Sequence, residues 1–299
     1  MKVLISGSTG LIGSALVTLL TDAGHDVVRL VRSRARADGS EVHWDPESDR
    51  IDTAGLEGMD AVVHLAGENI AAGRWTRERK ARIFDSRVKG TRLLCESLAN
   101  LTQPPKVLVS ASAIGYYGDR DEEVLNEGSI SGFGFLAEVC IEWEIATEPV
   151  AETEIRLVNL RTGIVLSQSG GPLEKMLPPF KMGVGGVLGN GRQYMSWIAL
   201  DDAIGIIHHA LTTDSLQGPV NNVAPHPVTN REFTKTLGRV LRRPTLFPLP
   251  GFGLSLMFGG EMANELFLAS ARVEPVRLLE TGYAFQYPKL EGALRHVLG

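Results

Sequence analysis

The chain has 299 residues, 43% of them hydrophobic and 22% charged, with a formal net charge of −5. That length suffices for a large core in one big domain or two, and the scattered Lys and Arg exclude nucleic acid as the main partner. Cys95 and Cys140 stand in unrelated contexts, which excludes a disulfide framework and points to a reducing compartment. No stretch approaches the roughly 18 apolar residues that a membrane span needs. The first apolar run breaks at glycine too early for a secretory signal, so the expected location is cytoplasmic.

Strands and helices alternate through the first half. "KVLIS" (2–6) reads as a strand, "SALVTLLTDAG" (14–24) as a helix ended by Gly24, and "HDVVRLVR" (25–32) as the second strand. "DAVVHLAG" (60–67) is a further strand, "RVKGTRLLCESLAN" (87–100) a helix and "KVLVSAS" (106–112) a strand. "FLAEVCIEWEIATE" (135–148) is helical and "IRLVNLRTG" (155–163) extended. Short β-branched runs separated by helices imply βαβ units with right-handed crossovers and a parallel sheet covered on both faces. The expected fold is α/β: a doubly wound Rossmann sheet followed by a smaller C-terminal α/β lobe. Residues 167–193 read as a long irregular stretch whose "GVGGVLGNG" (183–191) is a flexible loop expected to lid the pocket, followed by the helix "DDAIGIIHHAL", which Asp201 or Asp202 caps. The domain division is expected at 225/226, giving 1–225 for nucleotide binding and 226–299 for the lobe.

"SGSTGLIG" (6–13) places Gly7, Gly10 and Gly13 between the first strand and the first helix. Gly7 permits a tight turn, Gly10 lets a pyrophosphate approach, and Gly13 lets the helix lie close to the sheet. The amides of Leu11 and Ile12 then face phosphate from the positive end of the helix dipole. A dinucleotide protein that prefers NAD carries Asp or Glu about 20 residues further on. Here the second strand runs into Arg32 and Ser33, with Arg34 and Arg36 next and Asp38 several residues too late. A guanidinium pairs with a 2′-phosphate where a carboxylate repels it, so NADP(H) is the expected cofactor. The alternative reading of these arginines is ordinary solvated loop charge.

The glycines, "HLAG" (64–67) and "SASAIGYYG" (110–118) resemble the extended, epimerase/dehydratase-like branch of the short-chain dehydrogenase/reductase superfamily. "HLAGENI" (64–70), "FLAEVCIEWE" (135–144), "GNGRQYMSWI" (189–198), "NVAPHPVTNREF" (222–233) and "RVEPVRLLETGYAF" (272–285) are similar to its atypical "epimerase family proteins". That likeness spans essentially the full length, with a segment of undefined role at about 245–295. It implies cofactor contacts from Thr9 in the turn, Leu65, Ala66 and Gly67 beside the adenine and ribose, and Ser110 and Ala111. Arg87 stands where extended members have Asn in "NVxGT", and is either a cofactor or phosphate contact or a surface charge at a helix start. Arg161, after "IRLVNL", is a similar case.

The resemblance also implies a Tyr-x-x-x-Lys pair that moves hydride and proton, and this chain lacks it. Four residues past Tyr116, Tyr117, Tyr194, Tyr283 and Tyr287 stand Arg120, Asp121, Ile198, Tyr287 and Glu291. Phe135 or Leu136 takes the Tyr position, and Val139 or Cys140 the Lys position. The usual catalytic hydroxyl falls at Ala113, which leaves Ser112 and Tyr117 as the catalytic candidates. Glu138 and Glu144 do not share a helix face, so no paired-carboxylate site is expected. His208 and His209, adjacent on a helix, face different sides and cannot share a metal. The expected function is an NADP(H)-dependent oxidoreductase or epimerase on a small molecule. The alternative is a catalytically weak NADPH-binding sensor or partner-binding protein.

Overall fold

The computed structural model describes residues 1–299. The first half builds β1 (Lys2–Ser6), α1 (Leu11–Asp22), β2 (Asp26–Val31), β3 (Glu41–Asp45), β4 (Arg50–Ile51), β5 (Ala61–His64), α2 (Arg77–Ala99) and β6 (Val107–Ala113). Next come β7 (Val124–Leu125), α3 (Phe135–Ile145), α4 (Glu148–Ala151), β8 (Arg156–Thr162), β9 (Ile164–Leu166), α5 (Gly171–Lys181), β10 (Tyr194–Met195), β11 (Trp197–Ala199), α6 (Leu200–Thr212) and β12 (Gly218–Asn222). The chain ends with β13 (Val228–Thr229), α7 (Asn230–Leu241), α8 (Gly251–Phe258), α9 (Gly260–Ala263), β14 (Arg272–Val273), α10 (Val276–Glu280) and α11 (Leu290–Leu298).

Eight strands form one sheet in the order β12-β8-β6-β5-β1-β2-β3-β4. All neighbours run parallel except the edge strand β4, which is antiparallel to β3. The strand order reverses between β1 and β5, and in open α/β sheets such a switch point opens a crevice at the strands' carboxyl ends. Alternation across the pleat buries both faces. Val3, Ile5, Val63 and Val109 share a core with Leu16 of α1, Leu177 of α5, Ile206 of α6 and Leu294 of α11. Leu4, Val62 and Leu108 point the other way, into Trp44 and the Leu94 and Leu98 row of α2. Leu94→Ala in this second core is worth about 2–5 kcal/mol of stability. Phe233 and Leu237 of α7 belong to the first core, so the C-terminal residues pack on the same hydrophobic mass as the sheet.

Several elements differ from the sequence reading. Helix α1 begins at Leu11, immediately after the glycine turn. Helix α2 begins ten residues before the expected start, at Arg77, where the Thr76 hydroxyl accepts from Arg79 N at 3.2 Å. Its first three turns are mostly charged, and a single buried residue, Ile83, is too little pattern to reveal them. The irregular 167–193 stretch contains α5, with Pro172 in its first turn. The glycine-rich loop after α5 is pinned: Leu188 bridges Leu249, and a Cβ on Gly186 would fall 1.9 Å from the Phe247 carbonyl oxygen. Asp202 does not cap α6. It is fully buried and accepts from the amides of Gln286 (2.8 Å) and Tyr287 (2.9 Å), tying the C-terminal residues to the sheet. Trp197 is a core residue, fully buried, with its indole N–H on the His226 carbonyl at 3.1 Å.

Candidate cofactor cleft

At the switch point the three glycines serve three different contacts. Gly7 has φ +67°, and a Cβ there would stand 2.8 Å from the Leu65 carbonyl carbon at the end of β5. A Cβ on Gly13 would fall 2.2 Å from the Gly7 oxygen, so this glycine packs the helix onto the turn itself. Gly10 is exposed, and a Cβ on it would meet just one atom within 4 Å, the Gly7 oxygen at 3.3 Å. The space above Gly10 is therefore open. Gly10 also precedes α1 with no side-chain cap, and the first-turn amides of Leu11 and Ile12 have no acceptor within the protein. Such donors at a helix N-terminus form an anion cradle.

A buried polar chain fixes the other wall. Ser6 Oγ accepts from Leu65 N (3.0 Å) and Ala66 N (3.2 Å), so its proton is directed at His64 Nδ1, 2.7 Å away. The imidazole then carries its proton on Nε2 and donates to Thr91 Oγ1 at 3.0 Å, which also accepts from Trp143 Nε1 at 2.9 Å. Full burial holds His64 neutral, with its pKa pushed down to about 4. The sequence reading quoted His64 within "HLAG" and gave it no role. The signal was a histidine in an otherwise apolar strand, opposite Ser6 in register.

Arg32 lies exposed just past β2 and makes no ion pair or hydrogen bond, whereas Arg36 is spent on Glu41 at 3.4 Å. Ser33 beside it is exposed and offers its carbonyl to His43 Nδ1 at 2.9 Å. Thr9 is exposed on the turn, and Ala111 is half-buried on β6. Ser110 lies fully buried on β6 between His64 and Asn159, and its hydroxyl has no partner.

The remaining sequence candidates are drawn together, but into internal bonds. Ser112 Oγ donates to Glu144 Oε1 at 2.7 Å. Glu144 also receives Arg161 through two parallel contacts, Nε–Oε1 and Nη2–Oε2, both 2.8 Å. Arg161, expected at a cofactor, is 3% exposed and has its charge neutralised within the protein. Its third nitrogen, Nη1, donates to the Tyr117 oxygen at 3.0 Å, and its Cζ sits 3.5 Å from the centre of the Tyr116 ring. The Tyr117 side chain is fully buried, with its proton between Asn221 Oδ1 (2.7 Å) and the Asn126 carbonyl (3.0 Å). Burial pushes its pKa further up, away from neutral pH. In this structure the expected catalytic hydroxyls of Ser112 and Tyr117 are both engaged in bonds that tie β6, α3, β8 and β12 together. The sequence reading considered Glu144 only as one of a carboxylate pair; its partner here is Arg161, which comes from a strand and not from its own helix.

Helix α3, whose Leu136 and Cys140 are among the positions expected for the Tyr and Lys, lies directly on the residues after β6. A Cβ on Gly115 would be 3.2 Å from Leu136 Cβ and 3.6 Å from Cys140 Sγ. Burial pushes the Cys140 thiol up to about 12, so it is neither a base nor a cation. The N-terminus of α3 is capped from far away. Glu265 takes Phe135 N at 2.9 Å and Leu136 N at 2.7 Å on its two oxygens. Glu265 lies in a π-helical turn over Asn264–Leu268, a feature with no local sequence signal. The structure contains no cluster of three or more His, Cys, Asp or Glu suited to a metal, and no helix long and apolar enough to cross a membrane.

Comparison with known proteins agrees with this geometry. Residues 3–224 match the NAD dependent epimerase/dehydratase family, and residues 249–297 match a domain of unknown function, DUF1731. An epimerase family protein of Mycobacterium bovis is 44% identical over 292 residues, covering 98% of this chain and 96% of its own. The crystal structure of human epimerase family protein SDR39U1 with NADPH superimposes with a TM-score of 0.92 at 36% identity, covering 99% of each chain. The crystal structure of a nucleoside-diphosphate sugar epimerase from Corynebacterium glutamicum matches at TM-score 0.81 and 38% identity, covering all of this chain and 58% of that one. With its Rossmann sheet and this full-length likeness, the chain belongs to the NAD-dependent epimerase/dehydratase family, within the epimerase family proteins of the short-chain dehydrogenase/reductase type.

Proposed function

We propose that the protein binds NADP(H) in the glycine-turn cleft and presents the reduced nicotinamide to a small molecule, without a Tyr–Lys pair. The observation that carries the reading is the unpaired, exposed Arg32 beyond β2, in a chain with no acid at that strand tip. The groups present fit a dinucleotide. The open space above Gly10 and the unspent amides of Leu11 and Ile12 suit a pyrophosphate. Thr9, Ser33, Leu65, Ala66, Gly67, Ser110 and Ala111 complete the proposed contacts. The human relative crystallised with NADPH supports the choice of cofactor. When bound, NADPH supplies a hydride. Ser112, Tyr117 and Arg161 act on this reading by holding Glu144 and the sheet edge in place.

One observation favours a second reading, that of a cofactor sensor with weak or no turnover. Both expected hydroxyls are engaged internally, and Leu136 and Cys140 fill the place of the pair. Loss of reduced-nicotinamide absorbance during a screen of small carbonyl, quinone and sugar-nucleotide substrates separates the two. Turnover on any of them supports the reductase. Tight NADPH binding with no turnover across the screen supports the sensor.

A further inference from the structure

Helix α8 has the sequence GFGLSLMF, apolar all round and without a charged residue, yet Leu254 alone of its eight residues is buried. A helix apolar on every side belongs in an interior. Here Phe252 (78% exposed) and Leu256 (76%), one turn apart on one face, stand in solvent with Met257 next to them. Arg74 holds the helix in this orientation by donating Nε to the Met257 carbonyl at 3.1 Å, and the Phe258 ring packs 4.8 Å from that of Phe267.

The chain leading into α8 extends the apolar face. Leu246 and Phe247 are both exposed. Residues 183–189 run alongside 244–249: a Cβ on Gly183 would stand 3.7 Å from Pro244 Cγ, and Leu249 N donates to the Val187 carbonyl at 2.8 Å. That pairing adds Met182, exposed just past α5. These six side chains, each with on the order of 200 Å² to offer, leave roughly 800 Å² of apolar surface open. The largest patch on a typical monomer is about 300–600 Å².

The charge around this face has one sign. From Lys175 to Leu200 and from Leu241 to Gly260 stand Lys175, Lys181, Arg192, Arg242 and Arg243 and no Asp or Glu, in a chain of net charge −5. Lys181, Arg242 and Arg243 are exposed and make no ion pair. A two-fold dimer through this face would set these cations against their own copies. An anionic bilayer meets both features. Its acyl boundary takes apolar side chains to a depth of about 5–10 Å, and its headgroup phosphates attract the cations.

We infer that the face formed by α8, residues 244–247 and Met182 docks the protein on the surface of a membrane rich in anionic lipid. The contact is peripheral, since no helix is long and apolar enough to cross. It is independent of the NADP(H) reading.

Sedimentation of the intact chain with vesicles tests the inference, using phosphatidylcholine alone and phosphatidylcholine mixed with phosphatidylglycerol. Wild type is expected to sediment with the phosphatidylglycerol vesicles at low salt, far less with phosphatidylcholine, and to be released at high salt. Arg242→Gln with Arg243→Gln should weaken that binding about thirtyfold. Phe252→Ser with Leu256→Ser removes two exposed anchors, so vesicle binding should be lost while the melting temperature matches wild type. Should the serine pair lower the melting temperature, the arginine pair, whose side chains are exposed and unbonded, decides alone. Wild type that ignores the anionic vesicles, or binds phosphatidylcholine equally well, overturns the inference. So do folded variants that bind as wild type does. Light scattering covers the other occupant: a wild-type dimer that the serine pair converts to monomer assigns the face to a second copy and overturns the membrane contact.

Discussion

His64 links the cofactor wall to acid stability, and its replacement by Gln tests that link quantitatively. The imidazole is fully buried, bonded to Ser6 and Thr91 in its neutral form, and faces no carboxylate within hydrogen-bond distance. Its pKa falls from 6.5 to about 4 on folding. Above pH 6.5 both folded and unfolded chains hold it neutral, and its full contribution to stability is present. As pH falls from 6.5 towards 4, the unfolded chain takes up a proton that the folded one refuses, so stability is lost. The total over that window is about 3 kcal/mol. His64→Gln keeps a donor and an acceptor but does not titrate. Urea unfolding of both proteins at a series of pH values is the assay. The wild type should lose about 3 kcal/mol more than the variant between pH 7 and pH 4. Parallel losses would show that His64 is reached by solvent or protonated in the fold, and the proton assignment along Ser6, His64 and Thr91 would be wrong.

Gly10→Val should abolish NADPH binding while leaving the circular dichroism spectrum intact. Its Cβ has open space except for the Gly7 oxygen at 3.3 Å, and φ is −76°, so the branched side chain fills the cradle without straining the backbone. Installing the missing pair as Leu136→Tyr with Cys140→Lys should give no reductase activity and a lower melting temperature. The tyrosine meets Gly115 and the ammonium enters a buried site beside the Arg87 guanidinium, as screened substrate turnover and thermal unfolding will show. Glu265→Ala leaves the first amides of α3 without their acceptor and should cost about 0.5–2 kcal/mol in urea unfolding, the range for a lost helix cap.

The elements legible in the sequence were those whose signal is local. Apolar alternation marks β1, β2, β5, β6 and β8, and the glycine spacing marks the turn, because each depends on residues within a few positions of one another. The charged opening of α2 was not legible, since apart from Ile83, which packs on Phe135 and Val139, it is held by the Thr76 cap and by contacts to Glu68 and Glu261. The internal bonding of the candidate site was hidden for a different reason. Ser112 meets Glu144 across 32 residues, Tyr117 meets Asn221 across 104, and Glu265 reaches the N-terminus of α3 across 130. No pattern within one segment encodes these meetings; the strand order brings them together. That no Lys stands four residues past any tyrosine is readable from the sequence, while the close contact of α3 on Gly115 required the fold.

On the proposed function this cleft selects a 2′-phosphorylated dinucleotide through Arg32. Titrating NADPH and NADH against wild type and Arg32→Ala, at fixed moderate ionic strength, tests that selection. Wild type should bind NADPH much more tightly than NADH. The variant should lose on the order of 1.5–3 kcal/mol for NADPH, with NADH unchanged. Equal affinities of the wild type for NADPH and NADH would contradict it.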